Sequence, residues 1–217
     1  MRAPILCIVL LTIVPRACAS PPSLDVFRQD QGRISAPAVS LARKAVATYL
    51  ATGKDEFSLP QLPEIFKRKA AVFVTISKAG RTRGCKGSFE PTTSNLRDQI
   101  IQTAIAAATA DIRCRPIRAN ELKDLDFTVS IVGPLKRVKD ANGYPPRLYG
   151  LFLRSSSKSA VLLPGEAKTT AWRLAEAKRQ AGLRPGEPYE LYVFETVTLR
   201  VHKQTIKSRG TANARDS

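Results

Sequence analysis

The alternation of apolar and polar positions divides most of the chain into helices and strands. Apolar residues recur at helical spacing from Ala38 and stop before Gly53, a typical C-cap residue, which predicts a first helix. A second helix is predicted to follow Ser94 or Asn95, either of which can cap it. A third helix is predicted over 170–180 from the same spacing.

Apolar residues at every second position predict the strands. The clearest strand covers 125–134, where one face is apolar and the other polar. Lys78-Ala79-Gly80 is a turn signal, so the segment with Cys85 is predicted as a second strand, or the entry to one, just past a hairpin. Residues 136–147 are predicted as a loop. The order of elements predicts an α+β fold with a mostly antiparallel sheet flanked by helices. The other predicted strands are 71–77, 148–153, 159–163 and 189–201.

The first 19 residues have the pattern of a secretory signal peptide. A basic start at Arg2 precedes a short apolar run and a small-x-small exit at Ala17-Cys18-Ala19. The run is too short to span a bilayer, so we expect cleavage near Ala19 and an exported, periplasmic or secreted protein with no transmembrane segment in its mature form. Lipidation at Cys18 is the alternative, for which Pro15-Arg16-Ala17 is a poor lead-in.

Two segments are predicted to lack regular structure. Residues 20–37 contain several prolines among mostly polar residues, which predicts a flexible N-terminal lead. Residues 203–217 combine cations with small polar residues, which predicts a basic disordered tail. The folded domain is predicted to span 38–202.

The net charge of +17 favours anionic partners: nucleic acid, lipid surfaces, cell-wall polymers or acidic proteins. Charge alone does not indicate nucleic-acid binding, and the sequence has no helix-turn-helix, zinc-finger or RNA-binding sheet signature. His202 is the only histidine, which excludes a His-rich metal site. The sequence also lacks a phosphate loop, a dinucleotide fingerprint and a CxxC pair. We therefore predict neither a metal nor a cofactor.

The stretch most suggestive of chemistry is Arg83-Gly84-Cys85-Lys86-Gly87. Glycine adopts backbone angles that other residues resist and lets a partner approach closely. The cations Arg83 and Lys86 are expected to lower the pKa of the Cys85 thiol, and the thiolate is the nucleophile. The segment predicts either a reactive cysteine at the rim of a cleft or a tight turn with a small buried cysteine.

A second candidate segment, 111–116, directly follows the second predicted helix. Its functional interpretation is an Asp111–Arg113 pair beside the cysteine motif. Its alternative is a loop with a surface salt bridge, which stabilises little. We predict that Cys85, Arg83, Asp111 and Arg113 cluster at one cleft.

A disulfide between Cys85 and Cys114 is a competing expectation. These are the two cysteines that remain once the leader is removed, and the expected compartment is oxidising. Such a bond would stabilise the fold by roughly 3–4 kcal/mol in the chain-entropy model. It would also remove the Cys85 nucleophile.

Taken together, these segments resemble the AMMECR-type domain family over about residues 38–200. The hallmark of that family, Leu-Arg-Gly-Cys-Ile-Gly, corresponds here to the motif around Cys85. The resemblance implies an α+β fold with a larger and a smaller subdomain and the cysteine motif near the cleft between them. It also implies Memo-type or radical-SAM proteins as partners, but no reaction, since the activity of the family is not firmly established. Further matches occur in order at Leu41-Ala42-Arg43-Lys44-Ala45, Val72-Phe73-Val74-Thr75, Glu90-Pro91, Asp111 and Arg113, Glu121-Leu122, Val129-Ser130-Ile131 and Ala181-Gly182-Leu183.

The sequence departs from the family pattern at three places. Thr82 and Lys86 replace a leucine and an isoleucine of the hallmark, which makes the motif more cationic. Cys114 stands where an aromatic residue is expected. Leu163-Pro164-Gly165-Glu166 stands where the family usually continues Leu-Pro-Gln-Val.

Three functional hypotheses follow. The first is a binding or accessory module whose cationic cleft takes an anionic small molecule or a partner protein through charge-assisted hydrogen bonds. The second is an enzyme with Cys85 as nucleophile, for which no general base is evident. The third is charge-driven nucleic-acid binding, which export argues against. The candidate ligand-binding residues are Arg83, Gly84, Lys86, Gly87, Asp111 and Arg113.

Overall fold

The structure is a computed structural model that describes residues 23–58 and 61–201. Its strands form two four-stranded antiparallel sheets with flanking helices, which confirms the predicted α+β class. The strands within these ranges are β1 (Val72–Lys78), β2 (Arg81–Gly87), β3 (Leu125–Val132), β4 (Lys136–Val138), β5 (Gly150–Arg154), β6 (Ser159–Leu162), β7 (Glu190–Phe194) and β8 (Thr196–Leu199).

The N-terminal segment is helical. Helix α1 (Leu24–Gln29) is followed directly by α2 (Gln31–Thr52). The flexible lead predicted for 20–37 is therefore wrong for its described part, residues 23–37. Pro37 lies inside α2, and the apolar face of the helix continues on both sides of it, so burial outweighs the helix-breaking tendency of proline. The buried side chains of α1 are Leu24 and Phe27, and those of α2 around Pro37 are Ile34, Ala38 and Leu41.

The larger lobe is built on the sheet with strand order β2-β1-β3-β8. Helix α2 and helix α3 (Leu96–Thr109) pack against each other and against this sheet, and their apolar faces enclose the main core. The helix ends follow the predicted capping. The Asn95 side chain accepts a hydrogen bond from the N–H of Asp98, and Gly53 closes α2 in the left-handed region with φ of 72°.

The smaller lobe is built on the second sheet, with strand order β4-β7-β5-β6. Helix α4 (Thr170–Ala181) packs against β5 and β6. The short strand β4 lies within 136–147, which was predicted as a loop. A hairpin formed by β5 and β6 agrees with the predicted pairing of 148–153 with 159–163.

The long strand predicted over 189–201 is two strands in different sheets. The chain leaves β7 in the smaller lobe, passes Glu195 and enters β8 in the larger lobe. Glu195 holds this crossing in place, because its carboxylate pairs with Arg28 of α1 at 2.8 Å and its carbonyl accepts from the N–H of Gly133 at 3.0 Å.

Phe89 joins the two lobes. Its ring lies 5.4 Å from that of Phe73 on β1, 4.8 Å from that of Phe152 on β5 and 4.9 Å from that of Phe194 on β7, measured between centroids. These rings belong to an apolar cluster against which Cys85 also packs. The cysteine motif therefore lies beside the contact between the larger and the smaller lobe.

No helix in the described ranges is long and apolar enough to cross a membrane. The predicted signal peptide, the predicted tail and His202 lie outside the described residues.

Candidate functional site

Cys85 lies on β2, the edge strand of the larger sheet, opposite Thr75 of β1. The backbone N–H of Cys85 points away from β1 and donates to Oδ2 of Asp111 at 2.9 Å. The carbonyl of Cys85 accepts from Nη2 of Arg113 at 3.5 Å. An unpaired strand edge is a template for unwanted pairing. At Cys85, Asp111 and Arg113 therefore take the place of a neighbouring strand.

Asp111 is the most strongly perturbed carboxyl group of this site. Its residue is 7% exposed and its two oxygens accept from Nε and Nη2 of Arg113, both at 2.9 Å. Burial by itself would raise the pKa of Asp111. The Arg113 guanidinium and the backbone N–H groups of Arg113 and Cys85 outweigh burial and lower that pKa to about 2. The same hydrogen bond to Asp111 raises the pKa of Arg113.

The surroundings of the Cys85 thiol disfavour its thiolate form. Its Sγ lies 3.4 Å from Oγ1 of Thr75, and the side chain packs against the apolar cluster between the lobes. Burial raises the pKa of the thiol, and the contacts with Thr75 and Arg113 lower it less. The expectation of a lowered pKa is wrong because neighbouring residues of a strand point to opposite faces, which separates the Lys86 side chain from Cys85. Arg83 is held by another partner.

That partner is Glu121, in the 3-10 helix Ala119–Asp124. Nε and Nη2 of Arg83 donate to the two Glu121 oxygens, both at 2.9 Å. Nη1 and Nη2 also donate to the carbonyls of Arg115 at 2.6 Å and Pro116 at 3.2 Å. Arg83 therefore attaches residues 115 and 116 to β2, and the Glu121 carboxylate balances its charge.

The glycines of the motif are required by packing inside the protein. A Cβ atom on Gly84 would lie 2.3 Å from the Ala107 carbonyl oxygen of α3. A Cβ atom on Gly87 would lie 2.3 Å from the ring of Phe73. Neither glycine has a positive φ. Their role is to let α3 and Phe73 approach β2 closely.

Residues 111–118 form what we call the arginine loop. Its inner side is anchored by the contacts of Asp111, Arg113 and Arg83, by the buried Ile117 side chain and by the hydrogen bond from the N–H of Ile117 to the Ala108 carbonyl at 2.8 Å. Its outer side carries Ile112, Arg115 and Arg118, all exposed. A groove of about 600 Å³ runs beside it, lined by Arg83, Arg115, Pro116, Ile117, Arg118, Asn120 and Glu121.

Sequence reasoning missed the outward-facing members of the arginine loop. The sequence shows the spacing of Arg113, Arg115 and Arg118, but only Arg113 has an acidic neighbour there, Asp111, that marks it as a candidate. Glu121 was noted only as a family match and not as the partner of Arg83. The repeated arginine around Pro116 was the signal that could have identified this surface.

Cys85 and Cys114 are both free thiols. The sulfur of Cys85 lies against Thr75 and the apolar cluster, and the disulfide with Cys114 stays a prediction. The carboxylate of Asp111 lies against the backbone of Cys85, and the N–H of Cys114 donates to the Asp111 carbonyl at 3.1 Å.

Glu166 approaches the site from the smaller lobe. Its Oε2 accepts from the N–H of Leu163 at 2.8 Å. The residue keeps contact with solvent, but the surrounding protein raises the pKa of its carboxyl group, and it interacts electrostatically with Arg113 and Cys85. Glu166 belongs to one of the segments that depart from the family pattern. In the ranges that the structure describes, no three His, Cys, Asp or Glu residues are placed to hold a metal ion.

Alkylation of Cys85 by iodoacetamide is expected to be slow. Because the thiol is only partly exposed and its surroundings raise its pKa, we expect the native protein to react at least about tenfold more slowly at pH 8 than the same protein unfolded in urea. Peptide-resolved mass spectrometry, with a protease that does not cut at Arg83 or Lys86, measures the rate at Cys85 alone. A native rate above the unfolded rate would contradict this expectation and support a reactive nucleophile.

Comparison with known proteins identifies a family. The profile described as AMMECR1 matches residues 39–199. A Thermotoga maritima protein is 37% identical over 166 residues, which are 73% of this chain and 94% of that protein. A Methanothermobacter thermautotrophicus protein is 33% identical over 190 residues, or 84% of this chain and 96% of that protein. The crystal structure of the uncharacterised protein PH0010 from Pyrococcus horikoshii superposes with a TM-score of 0.65 at 28% identity, covering 76% of this chain and 89% of that one.

Proposed function

The chain belongs to the AMMECR1 family, and we propose that its domain is a non-catalytic binding module that holds an anionic partner on the arginine loop. The observation that carries the proposal is the contrast between the two sides of this loop. The inner side is fixed by many contacts, and the outer side presents cations with no counter-ion among the described residues.

The fixed side supports binding because a preorganised surface loses little conformational entropy on association. Asp111 ties the start of the loop to the edge of β2, and the buried Ile117 ties its end to α3. Between them, Arg83 donates to two consecutive carbonyls of the loop. The backbone that carries the outer side chains is therefore held before any ligand arrives.

The free side supports an anionic partner. Within residues 23–58 and 61–201, the guanidinium groups of Arg115 and Arg118 make no salt bridge. Asn120 adds an exposed amide to the same groove. Arginine offers several donors in a planar fork that matches carboxylate and phosphate oxygens. The loop therefore supplies two such forks at one surface.

The proposed anion site lies on the outer side of the arginine loop and not at Cys85. Of the three cations expected there, Arg83 and Arg113 are each paired with a carboxylate, which leaves Lys86 alone on the opposite face of β2. The raised pKa of the thiol also argues against an enzyme that uses Cys85 as its nucleophile. In such an enzyme, Glu166 would be the carboxyl group near Cys85 that acts as its base. The alkylation measurement tests whether Cys85 is a reactive nucleophile.

Reversal of the two free charges is expected to weaken anion binding. Inorganic tripolyphosphate serves as the probe, with binding to the full chain measured by calorimetry at fixed ionic strength. We expect the Arg115→Glu, Arg118→Glu double variant to bind at least about tenfold more weakly, since a charge-assisted hydrogen bond contributes about 1.5–3 kcal/mol.

The matched control is the double variant Arg68→Glu, Lys69→Glu. These residues are exposed and carry the same total charge, and they lie at the N-terminal end of α3, where the Arg68 carbonyl accepts from the N–H of Leu96. The groove lies beyond the other end of that helix. Equal losses in the two double variants would assign binding to the overall charge of the protein, and the proposal would be wrong.

A further inference from the structure

The exposed isoleucine of the arginine loop points to the class of partner. We infer that the arginine loop docks a protein segment that combines acidic side chains with an apolar surface, and that Ile112 is its apolar anchor. This inference rests on the proposed function and narrows the partner from any anion to an acidic, partly apolar polypeptide.

Ile112 is unusual in its combination of exposure and rigidity. It is 96% exposed, more than any other large apolar residue in the described part of the chain. It stands between Asp111, which is buried and bonded to β2, and Arg113, whose guanidinium is bound to Asp111 at two points. Scattered exposed apolar residues are ordinary. This one is held on an anchored backbone and cannot easily fold back onto the protein.

The exposed residues of the arginine loop, Ile112 together with Arg115 and Arg118, have the usual composition of a protein interface. Such interfaces have an apolar centre, a polar rim and arginine among the residues that contribute most. Pro116 lines the groove beside the loop, and Arg115 and Arg118 lie along it. The groove volume of about 600 Å³ is also larger than a single phosphate group needs. An acidic segment with apolar side chains complements both features.

The other anionic surfaces fit this loop less well. Nucleic acid binds through phosphates and stacked bases, and an isoleucine side chain offers no face for stacking. An anionic membrane would accept Ile112, but stable attachment to a bilayer takes more apolar burial than one side chain provides. The combination of one apolar anchor with a few localised arginines therefore favours a polypeptide.

Peptide selection tests the inference while the natural partner is still unidentified. A random 16-residue display library is selected on the full chain, and enriched peptides are synthesised and titrated by fluorescence anisotropy. We expect the enriched sequences to combine Asp or Glu with large apolar residues. We expect their affinity to fall at least about tenfold in Ile112→Ala and in the Arg115→Glu, Arg118→Glu double variant. Leu148→Ala, which removes another exposed apolar residue on the smaller lobe, is expected to bind as wild type.

The outcomes separate this inference from the proposed function. If tripolyphosphate binding depends on the two arginines but no peptide is enriched, or if enriched peptides bind Ile112→Ala as tightly as wild type, the inference is overturned and the proposed function stands. Binding to phosphatidylglycerol vesicles that depends on Ile112, with no enriched peptide, would also overturn it in favour of a membrane. If tripolyphosphate binding is unchanged in the arginine variant, the proposed function itself fails.

Discussion

Replacement of Gly84 by alanine is expected to destabilise the protein by about 3 kcal/mol or more, and to leave little folded protein if the wild type is only marginally stable. The added Cβ atom would lie 2.3 Å from the carbonyl oxygen of Ala107 and 3.3 Å from its carbonyl carbon. Both are backbone atoms of α3, so no side-chain rotation can relieve the overlap. The helix has to move off β2, which also loosens the anchor of the arginine loop.

Urea unfolding followed by circular dichroism measures this effect. The matched control is Gly32→Ala, since Gly32 lies in α2 and an added Cβ atom meets nothing within 4 Å. That variant is expected to gain about 0.5–1 kcal/mol, because glycine is a poor helix former. A Gly84→Ala protein within about 0.5 kcal/mol of wild type would show that α3 does not constrain this position.

The glycines of the cysteine motif show why a sequence pattern can locate a site and still misassign its parts. Glycine is needed wherever backbones approach closely, and the sequence does not say whether the approaching group is a ligand or another part of the same chain. At Gly84 it is α3, and at Gly87 it is Phe73. The position of the motif beside the contact of the two lobes agrees with the family resemblance, whereas the groups that approach the two glycines closely belong to the same chain.

The charges of the motif show a second limit. Arg83 and Lys86 are neighbours of Cys85 in sequence, which suggested a lowered thiol pKa. In a strand, adjacent side chains face opposite ways, and a long arginine side chain binds the nearest suitable carboxylate. For Arg83 that carboxylate is Glu121, 38 residues further along the chain. Which carboxylate pairs with Arg83 depends on the tertiary fold, and the local sequence pattern does not predict it.

The elements themselves were predictable to a large extent, and the exceptions have physical causes. The period of apolar residues located α2 from Ala38 onward, helices α3 and α4, strands β1 and β3 and the β5–β6 hairpin within a few residues of their ends. A single strand is predicted over 189–201 because the alternation of apolar residues keeps the same phase on both sides of Glu195. No change of pattern marks the point where the chain crosses between the two sheets. Helix α1 and the part of α2 before Ala38 were not predicted, because Pro37 and the polar composition of this segment outweigh its weak apolar stripe.

The second large effect concerns Asp111. Replacement of Asp111 by asparagine is expected to destabilise the protein by about 2–3 kcal/mol at pH 7. Depression of its pKa from 3.8 to about 2 corresponds to about 2 kcal/mol. The asparagine amide would also place donors against the Arg113 guanidinium and the Cys85 N–H, so part of their hydrogen bonding is lost.

The pH dependence identifies the source of this stability. Because the pKa of Asp111 is lower in the folded than in the unfolded state, its contribution is fully present above about pH 4 and disappears as the pH falls through about 2. The difference in unfolding free energy between wild type and Asp111→Asn is therefore expected to be constant from pH 7 to about pH 5 and to shrink between about pH 4 and pH 2. Urea titrations at fixed pH steps measure it. Asp55→Asn, which alters an exposed carboxylate in the segment after α2, is the control and is expected to show no such change. A difference that stays constant down to pH 2 would mean that the ion pair with Arg113 is not what stabilises the edge of β2.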